Sequence, residues 1–258
     1  MTDIVPASRL FDLSGEVAFI TGASSGLGAH FAEVLAAHGA KVVLAARRLD
    51  RISALAARIG SSMAIAFDVT NRAGYAAAFD QAEAALGPVT LLINNAGVSG
   101  QPRFLDTPPE DFAFVQGTNV EAVWHLSQFF AKRLVAAKRP GAIINLASIA
   151  SFRVGGTSAS YAVSKAAVEQ MTKAHAFELA RHGIRVNAIA PGYIWSEMTE
   201  AHLNSEAGKA MLKRVPQRRA GDPSDLDGTL LLLASPRASG FMTGATIVVD
   251  GGHLTSFG

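Results

Sequence analysis

Tyr161 and Lys165 stand four residues apart in a stretch, 157–182, that has no internal proline. Apolar residues recur through it at helical intervals (Val163, Ala167, Val168, Met171, Ala174, Phe177), which predicts one long helix. Side chains four apart share a helix face. A phenol beside an ammonium is an acid of depressed pKa, because the positive charge favours the phenolate. Such a group suits proton donation to a carbonyl oxygen. A tyrosine and a lysine at this spacing also arise by chance on solvated helices, so the pair takes its meaning from what lies upstream. There, Ser148 follows an apolar strand over 141–146 and offers a hydroxyl. Asn119 stands inside a helical pattern over 111–137 that is otherwise apolar. A buried asparagine must find hydrogen-bond partners, so Asn119 either fixes a kink or holds water near a site.

The elements that position these groups begin with a strand over 16–20, followed by Thr21-Gly-Ala-Ser-Ser-Gly-Leu-Gly28 and a helical pattern that stops at Gly39. Glycines after a strand let the backbone approach a pyrophosphate, and the helix N-terminus adds amide donors and positive dipole. Gly22, Gly26 and Gly28 depart from the ordinary G-x-G-x-x-G spacing, and a plain tight turn is the alternative. A second strand over 41–46 completes a βαβ unit. Where an NAD site usually places an acid, this chain has Ala46 followed by Arg47 and Arg48. A guanidinium there fits a 2′-phosphate, with Ser24 and Ser25 as hydroxyl donors, so NADP(H) is favoured over NAD(H). The alternative is that Arg47 faces solvent.

Further strands are expected over 63–67, 89–93, 184–190 and 245–249. The third ends at Asp68-Val69; Asp68 is a candidate for the adenine amino group and, not exclusively, an N-cap or turn aspartate for a helix beginning near Arg72. The fourth runs into Asn94-Asn95-Ala96-Gly97, which suits a wall against a cofactor or an ordinary turn. Pro191-Gly192 follows the sixth. From 193 to 215 periodicity is poor, as expected of a lid, and a helix is expected over 223–234. Open α/β sheets bind ligands at the carboxyl ends of their strands. The expected fold is therefore α/β, a doubly wound parallel sheet of about seven strands, in one domain over 1–258.

Composition narrows the function. The 258 residues carry a net charge of +2 with a pI of about 9.0 and no basic tract, so nucleic acid is not an expected partner. There are no cysteines, hence no disulfides or thiolate chemistry. No secretory signal or membrane-length apolar run is read, which points to a cytoplasmic protein. No metal-ligand cluster is expected.

In order and spacing, Thr21-Gly-x-x-x-Gly-x-Gly28, Asp68, Asn94-Asn-Ala-Gly97, Asn119, Ser148, Tyr161-x-x-x-Lys165, Pro191-Gly192 and Asp250-Gly-Gly252 resemble the compact branch of the short-chain dehydrogenase/reductase family, over nearly the whole chain. The general pattern is similar to its 3-oxoacyl-carrier-protein reductases. The resemblance implies a Rossmann-fold oxidoreductase that transfers a hydride between NADP(H) and a ketone or secondary alcohol. Asn119, Ser148, Tyr161 and Lys165 would be its catalytic tetrad. Tyr161 would be the general acid, Lys165 would lower its pKa and hold the nicotinamide ribose, Ser148 would bind the substrate oxygen, and Asn119 would place a water. Cofactor contacts would come from Gly22, Ser24, Ser25, Gly26, Leu27, Gly28, Arg47, Arg48, Asp68, Val69, Asn95, Ala96, Gly97, Tyr161, Lys165, Pro191, Gly192, Ile194 and Ser196, the last where the family commonly has Thr.

A homotetramer built on the two long helices is also implied. Alternatives are an NAD-dependent alcohol dehydrogenase, a non-catalytic NADP-binding sensor, which would typically lack the Tyr or the Lys, and a sugar-nucleotide epimerase, which would need a larger substrate domain. Phe152, Tyr193, Trp195 and Met198 would either line an apolar substrate pocket or pack a lid. Lys132 and Arg133 would either meet an acidic carrier or face solvent.

Overall fold

The computed structural model describes residues 4–100, 103–154 and 158–256. Its seven strands are β1 (Val17–Thr21), β2 (Lys41–Ala46), β3 (Ser62–Ala66), β4 (Leu91–Asn94), β5 (Gly141–Leu146), β6 (Ile184–Pro191) and β7 (Thr246–Val249). They form one sheet in the order β3-β2-β1-β4-β5-β6-β7, every pair parallel. Parallel neighbours need crossovers, and helices supply them. After the short α1 (Ala7–Leu10) come α2 (Gly26–Ala37), α3 (Leu49–Ile59), α4 (Tyr75–Leu86), α5 (Pro109–Gln116), α6 (Ala122–Ala136) and α7 (Ala159–Leu179). Between β6 and β7 lie α8 (Glu200–Asn204), α9 (Glu206–Leu212), α10 (Asp227–Ala234) and α11 (Pro236–Ser239).

Strand residues alternate between two cores, as a period of two requires. Ala18, Ile20, Val42, Leu44, Leu91 and Ile93 face the layer of α2, α3 and α10. Val17, Phe19, Val43, Ala45 and Leu92 face α4 and α6. In the second core Phe19 stacks on Phe79 with ring centroids 4.5 Å apart, and Phe67 meets Phe19 edge-on at 5.3 Å. Burial on both faces explains why the strands read as continuous apolar runs rather than alternating ones.

Two differences from the sequence reading concern helices. The helix expected over 111–137 is interrupted by one widened π-turn, Gly117–Glu121, centred on Asn119. Such turns recur at functional sites. Arg133, expected to face solvent or a carrier, instead pairs with Asp80 at 2.9 Å and with Glu83, fastening α6 to α4. Residues 153–158, expected from the sequence to form a flexible loop leading into the Tyr161 helix, lie partly outside the described residues. The expected lid contains two short helices, α8 and α9. Among the described residues no helix is long and apolar enough to cross a membrane, and no group of His, Cys, Asp or Glu is placed to hold a metal ion.

Candidate active site

Because every strand is parallel, Thr21, Ala46, Asn94, Leu146 and Pro191 end on one edge of the sheet. The chain reverses direction across the sheet between β1 and β4, which opens a crevice there. A cavity of about 650 Å³ follows this edge from Ser24, Arg47 and Arg48 to Ser148, Tyr161 and Lys165. Three strand spacings separate β2 from β5, about 14 Å, which is the scale of an extended dinucleotide.

Thr21 fixes the β1–β4 crossing. Its hydroxyl donates to the Ile93 carbonyl at 3.1 Å and accepts from the amides of Asn95 and Ala96, both at 3.0 Å. The Asn95 side chain donates to the Thr21 carbonyl at 2.9 Å. The glycine loop and the Asn-Ala-Gly turn are thereby one rigid unit. Gly22 has φ +68° and Gly26 φ +55°, the left-handed region that favours glycine. Gly28, among the expected cofactor contacts, is placed differently from the other two glycines. It lies off the cavity wall, and a Cβ on it would sit 2.5 Å from both the Gly22 carbonyl oxygen and Asn95 Nδ2. Its smallness lets α2 pack against the loop. The expected contacts Gly22, Ser24, Ser25, Gly26, Leu27, Arg47, Arg48, Asp68, Val69, Asn95, Ala96, Gly97, Tyr161, Lys165, Pro191, Gly192, Ile194 and Ser196 all lie on the wall.

At the β2 end the two arginines diverge. Arg48 donates to Ser24 Oγ from Nη2 at 2.8 Å and to Ser25 Oγ at 2.7 Å. Arg47 is exposed, and its charge helps hold the Asp68 carboxyl below its ordinary range, after the larger effect of two hydrogen bonds from Thr70. Asp68 therefore holds a turn at Thr70 and is not the N-cap of the helical turn that follows, a position taken by Asn71. Asp250 also has a structural part: its carboxylate accepts from the amides of Gly252 at 2.8 Å and Leu254 at 2.7 Å. A Cβ on Gly192 would lie 2.7 Å from the Asp250 Cα, so Pro191-Gly192 and the terminal Asp-Gly-Gly are in direct backbone contact.

At the β5 end Ser148 caps a short turn by accepting from the Ala150 amide at 3.1 Å, and its hydroxyl lies near enough to the Tyr161 phenol to favour its ionised form. Ser158 caps α7 through the Tyr161 amide. One turn on, Lys165 Nζ donates to the Leu146 carbonyl at 2.6 Å and lies 5.7 Å from the Tyr161 ring centroid. The electrostatics differ from the expectation that Lys165 lowers the phenol's pKa. Burial pushes Tyr161 up, only partly offset by the nearby Ser148 hydroxyl, and burial pulls Lys165 down to about 8. Desolvation outweighs the pairing because the ammonium is aimed at a carbonyl rather than at the phenol oxygen. Tyr161 is thus a protonated donor at neutral pH.

Asn119 lies behind the wall rather than on it. Its amide clamps Val98, accepting from the Val98 N–H at 2.9 Å and donating to its carbonyl at 2.8 Å and to Ser164 Oγ at 3.0 Å. Of its two expected alternatives, the geometry places it at the kink. Of the four expected pocket residues only Met198 reaches the wall; Tyr193 packs on His202 and His253 at 6.1 and 5.5 Å, and Phe152 is half exposed. The sequence reading missed Ala113, Phe114 and Thr118, which the end of α5 and the π-turn bring to the wall, and also Glu197 and Thr199. Nothing in their residue types signalled this.

Fold and site together place a phenol, an ammonium and a hydroxyl at one end of a crevice on the scale of a dinucleotide. A family model described as enoyl-(acyl carrier protein) reductase matches residues 22–253. The chain is 38% identical over 249 residues to galactitol 2-dehydrogenase (L-tagatose-forming) of Cereibacter sphaeroides, covering 95% of this chain and 97% of that protein. It is 36% identical to 3-oxoacyl-(acyl-carrier-protein) reductase of Vibrio cholerae, covering 93% and 98%. The structure matches gluconate 5-dehydrogenase of Burkholderia cenocepacia, solved with NADP and tartrate, with a TM-score of 0.92 at 34% identity over 98% and 100% of the two chains. The chain belongs to the short-chain dehydrogenase/reductase family, and its chemistry is hydride transfer at a ketone or secondary alcohol.

Proposed function

We propose that this protein reduces a ketone, or oxidises the corresponding secondary alcohol, with NADP(H). The observation that carries the reading is one cavity holding Ser148, Tyr161 and Lys165 at one end and two serines with two arginines at the other. The left-handed glycines and the absence of an acid after β2 fit an adenosine phosphate. When bound, the nicotinamide would supply or take the hydride. Tyr161 gives its proton to the substrate oxygen during reduction. Ser148 hydrogen-bonds the same oxygen, where negative charge grows in the transition state. Lys165 places positive charge beneath the site and offers donors to ribose hydroxyls. Asn119 holds the π-turn that shapes the substrate wall and closes one side of the Lys165 chamber.

Polyhydroxylated ketones come first in a substrate screen, on the similarity to galactitol and gluconate dehydrogenases. The decisive experiment pairs turnover with cofactor titration. Tyr161→Phe should bind NADPH as wild type does and lose nearly all turnover. Arg47→Asp should weaken NADPH and spare NADH. Full activity of the first variant, or unchanged NADPH binding in the second, would overturn the respective assignment. A homotetramer is proposed from the exposed apolar residues Trp124 of α6 and Val163 and Phe177 of α7, the last 88% exposed. A monomer by light scattering would refute it.

A further inference from the structure

Glu197 lies in the expected lid, directly after Ser196, and its carboxylate reaches back to the Arg47–Arg48 end of the cavity. Oε1 accepts from Arg51 at 2.7 Å and Oε2 from Arg48 at 3.5 Å. Arg48 is the same guanidinium that lies on Ser24 and Ser25. The backbone holds the carboxylate there. Thr199 Oγ1 donates to the Ile194 carbonyl at 2.5 Å and accepts from the Ser196 amide at 3.0 Å, so the turn leaving β6 is pinned. The Ser196 Cβ lies 3.5 Å from the position a Cβ on Gly26 would take, so this turn packs on the glycine loop itself.

These contacts create a competition. Nη1 of Arg51 is held by one oxygen of the Glu197 carboxylate. Nη1 of Arg48 is turned to the same carboxylate. A phosphate monoester at the 2′ position brings a charge of about −1.5 to −2 and needs the same donors. It must take them from Glu197 and then sit beside a like charge. A 2′-hydroxyl makes neither demand.

We infer that Glu197 is a specificity-determining residue that restrains affinity for the 2′-phosphate form of the cofactor by occupying Arg48 and Arg51. It acts through those side chains and not on the reacting atoms, so it is a positioning residue. The inference rests on the NADP(H) reading above. It explains why an arginine-rich site carries an acid at its rim: the cofactor can be gripped by Arg47 and Arg48 and still leave.

The test is calorimetric titration of the full-length protein with NADPH, NADH, 2′,5′-ADP and 5′-AMP, on wild type, Glu197→Gln and Glu200→Gln. Glu200 is an exposed acid on the same lid and controls for overall charge. Glu197→Gln should bind NADPH and 2′,5′-ADP about fivefold more tightly, the scale of one exposed charge–charge interaction, and should bind NADH and 5′-AMP within about twofold of wild type. Glu200→Gln should match wild type, and the gain should shrink with added salt. If Glu197→Gln leaves the NADPH:NADH ratio unchanged, tightens both equally or loosens NADPH, the inference is overturned. A wild type that shows no preference for 2′,5′-ADP over 5′-AMP would sink the NADP(H) reading separately. A wild-type preference that Glu197→Gln does not alter sinks only the role of Glu197.

Discussion

Replacing Lys165 with methionine separates the cost of burying this ammonium from its part in the chemistry. The side chain is 6% exposed, and desolvation lowers its pKa from 10.5 to about 8. Below pH 8 the lysine is charged in both folded and unfolded chains, and the fold bears the whole cost of the buried charge. At 1.36 kcal/mol per pKa unit, that cost is about 3 kcal/mol. Between pH 8 and 10.5 the unfolded chain binds more protons than the folded one, so wild-type stability rises with pH across that window. The cost still felt is about 3 kcal/mol at pH 7 and about 1.4 kcal/mol at pH 9.5. Lys165→Met has no such group. Its stability relative to wild type should therefore be about 2 kcal/mol more favourable at pH 7 than at pH 9.5. The lost hydrogen bond to Leu146 and any repacking add a constant that cancels between the two pH values. Urea unfolding of both proteins, at one fixed protein concentration, reads the effect directly. With a slope of about 3 kcal/mol/M, the separation of the two midpoints should change by about 0.7 M. Equal separations at pH 7 and pH 9.5 would show that Lys165 is not held against its charge, and the desolvation argument would fail.

Gly192→Ala forces a Cβ to within 2.7 Å of the Asp250 Cα. It should cost about 1–3 kcal/mol of stability and weaken cofactor binding, because the Pro191-Gly192 wall must move; a wild-type urea midpoint and titration would contradict the close contact. Asn119→Leu strips Val98 of partners for its amide and carbonyl and leaves Ser164 Oγ without one bond. The expected loss is about 3 kcal/mol, with a larger effect on turnover than on cofactor affinity, since the π-turn shapes the wall opposite Tyr161. Equal loss of both would place Asn119 in general stability alone.

The fold was legible because a parallel sheet buried on both faces leaves a strong signature. Lys41–Ala46 and Gly141–Leu146 begin and end where the apolar runs do, and the strand order follows from βαβ units that can cross over in only one hand. Edges of elements were less legible. The strand expected over 89–93 is displaced to Leu91–Asn94, since its pairing with β1 and β5 and not its composition sets the register. The π-turn left no trace in the pattern of apolar residues. It arises because Asn119 satisfies its amide on Val98, a residue 21 positions earlier, and helical spacing carries no information about that partner.

The Tyr161 end and the Arg48 end of the cavity differ in the same way. Tyr161, Lys165 and Ser148 could be named because local spacing places the first two on one helix turn and strand β5 delivers the third. The state of those groups could not be read so. Spacing alone suggests that Lys165 acidifies Tyr161, but the sign of the shift depends on burial and on where the ammonium points, and both are set by Leu146 on another element. Glu197 is the stronger case: it is 149 residues from Arg48 in sequence, and nothing near Ser196 marks it as part of an anion site. Residue type and spacing identify groups that can do chemistry. Which proton or phosphate those groups favour is decided by neighbours from distant elements, so the pKa of Lys165 and the donors held by Glu197 become visible only once the sheet has brought β1, β2, β5 and β6 to one edge.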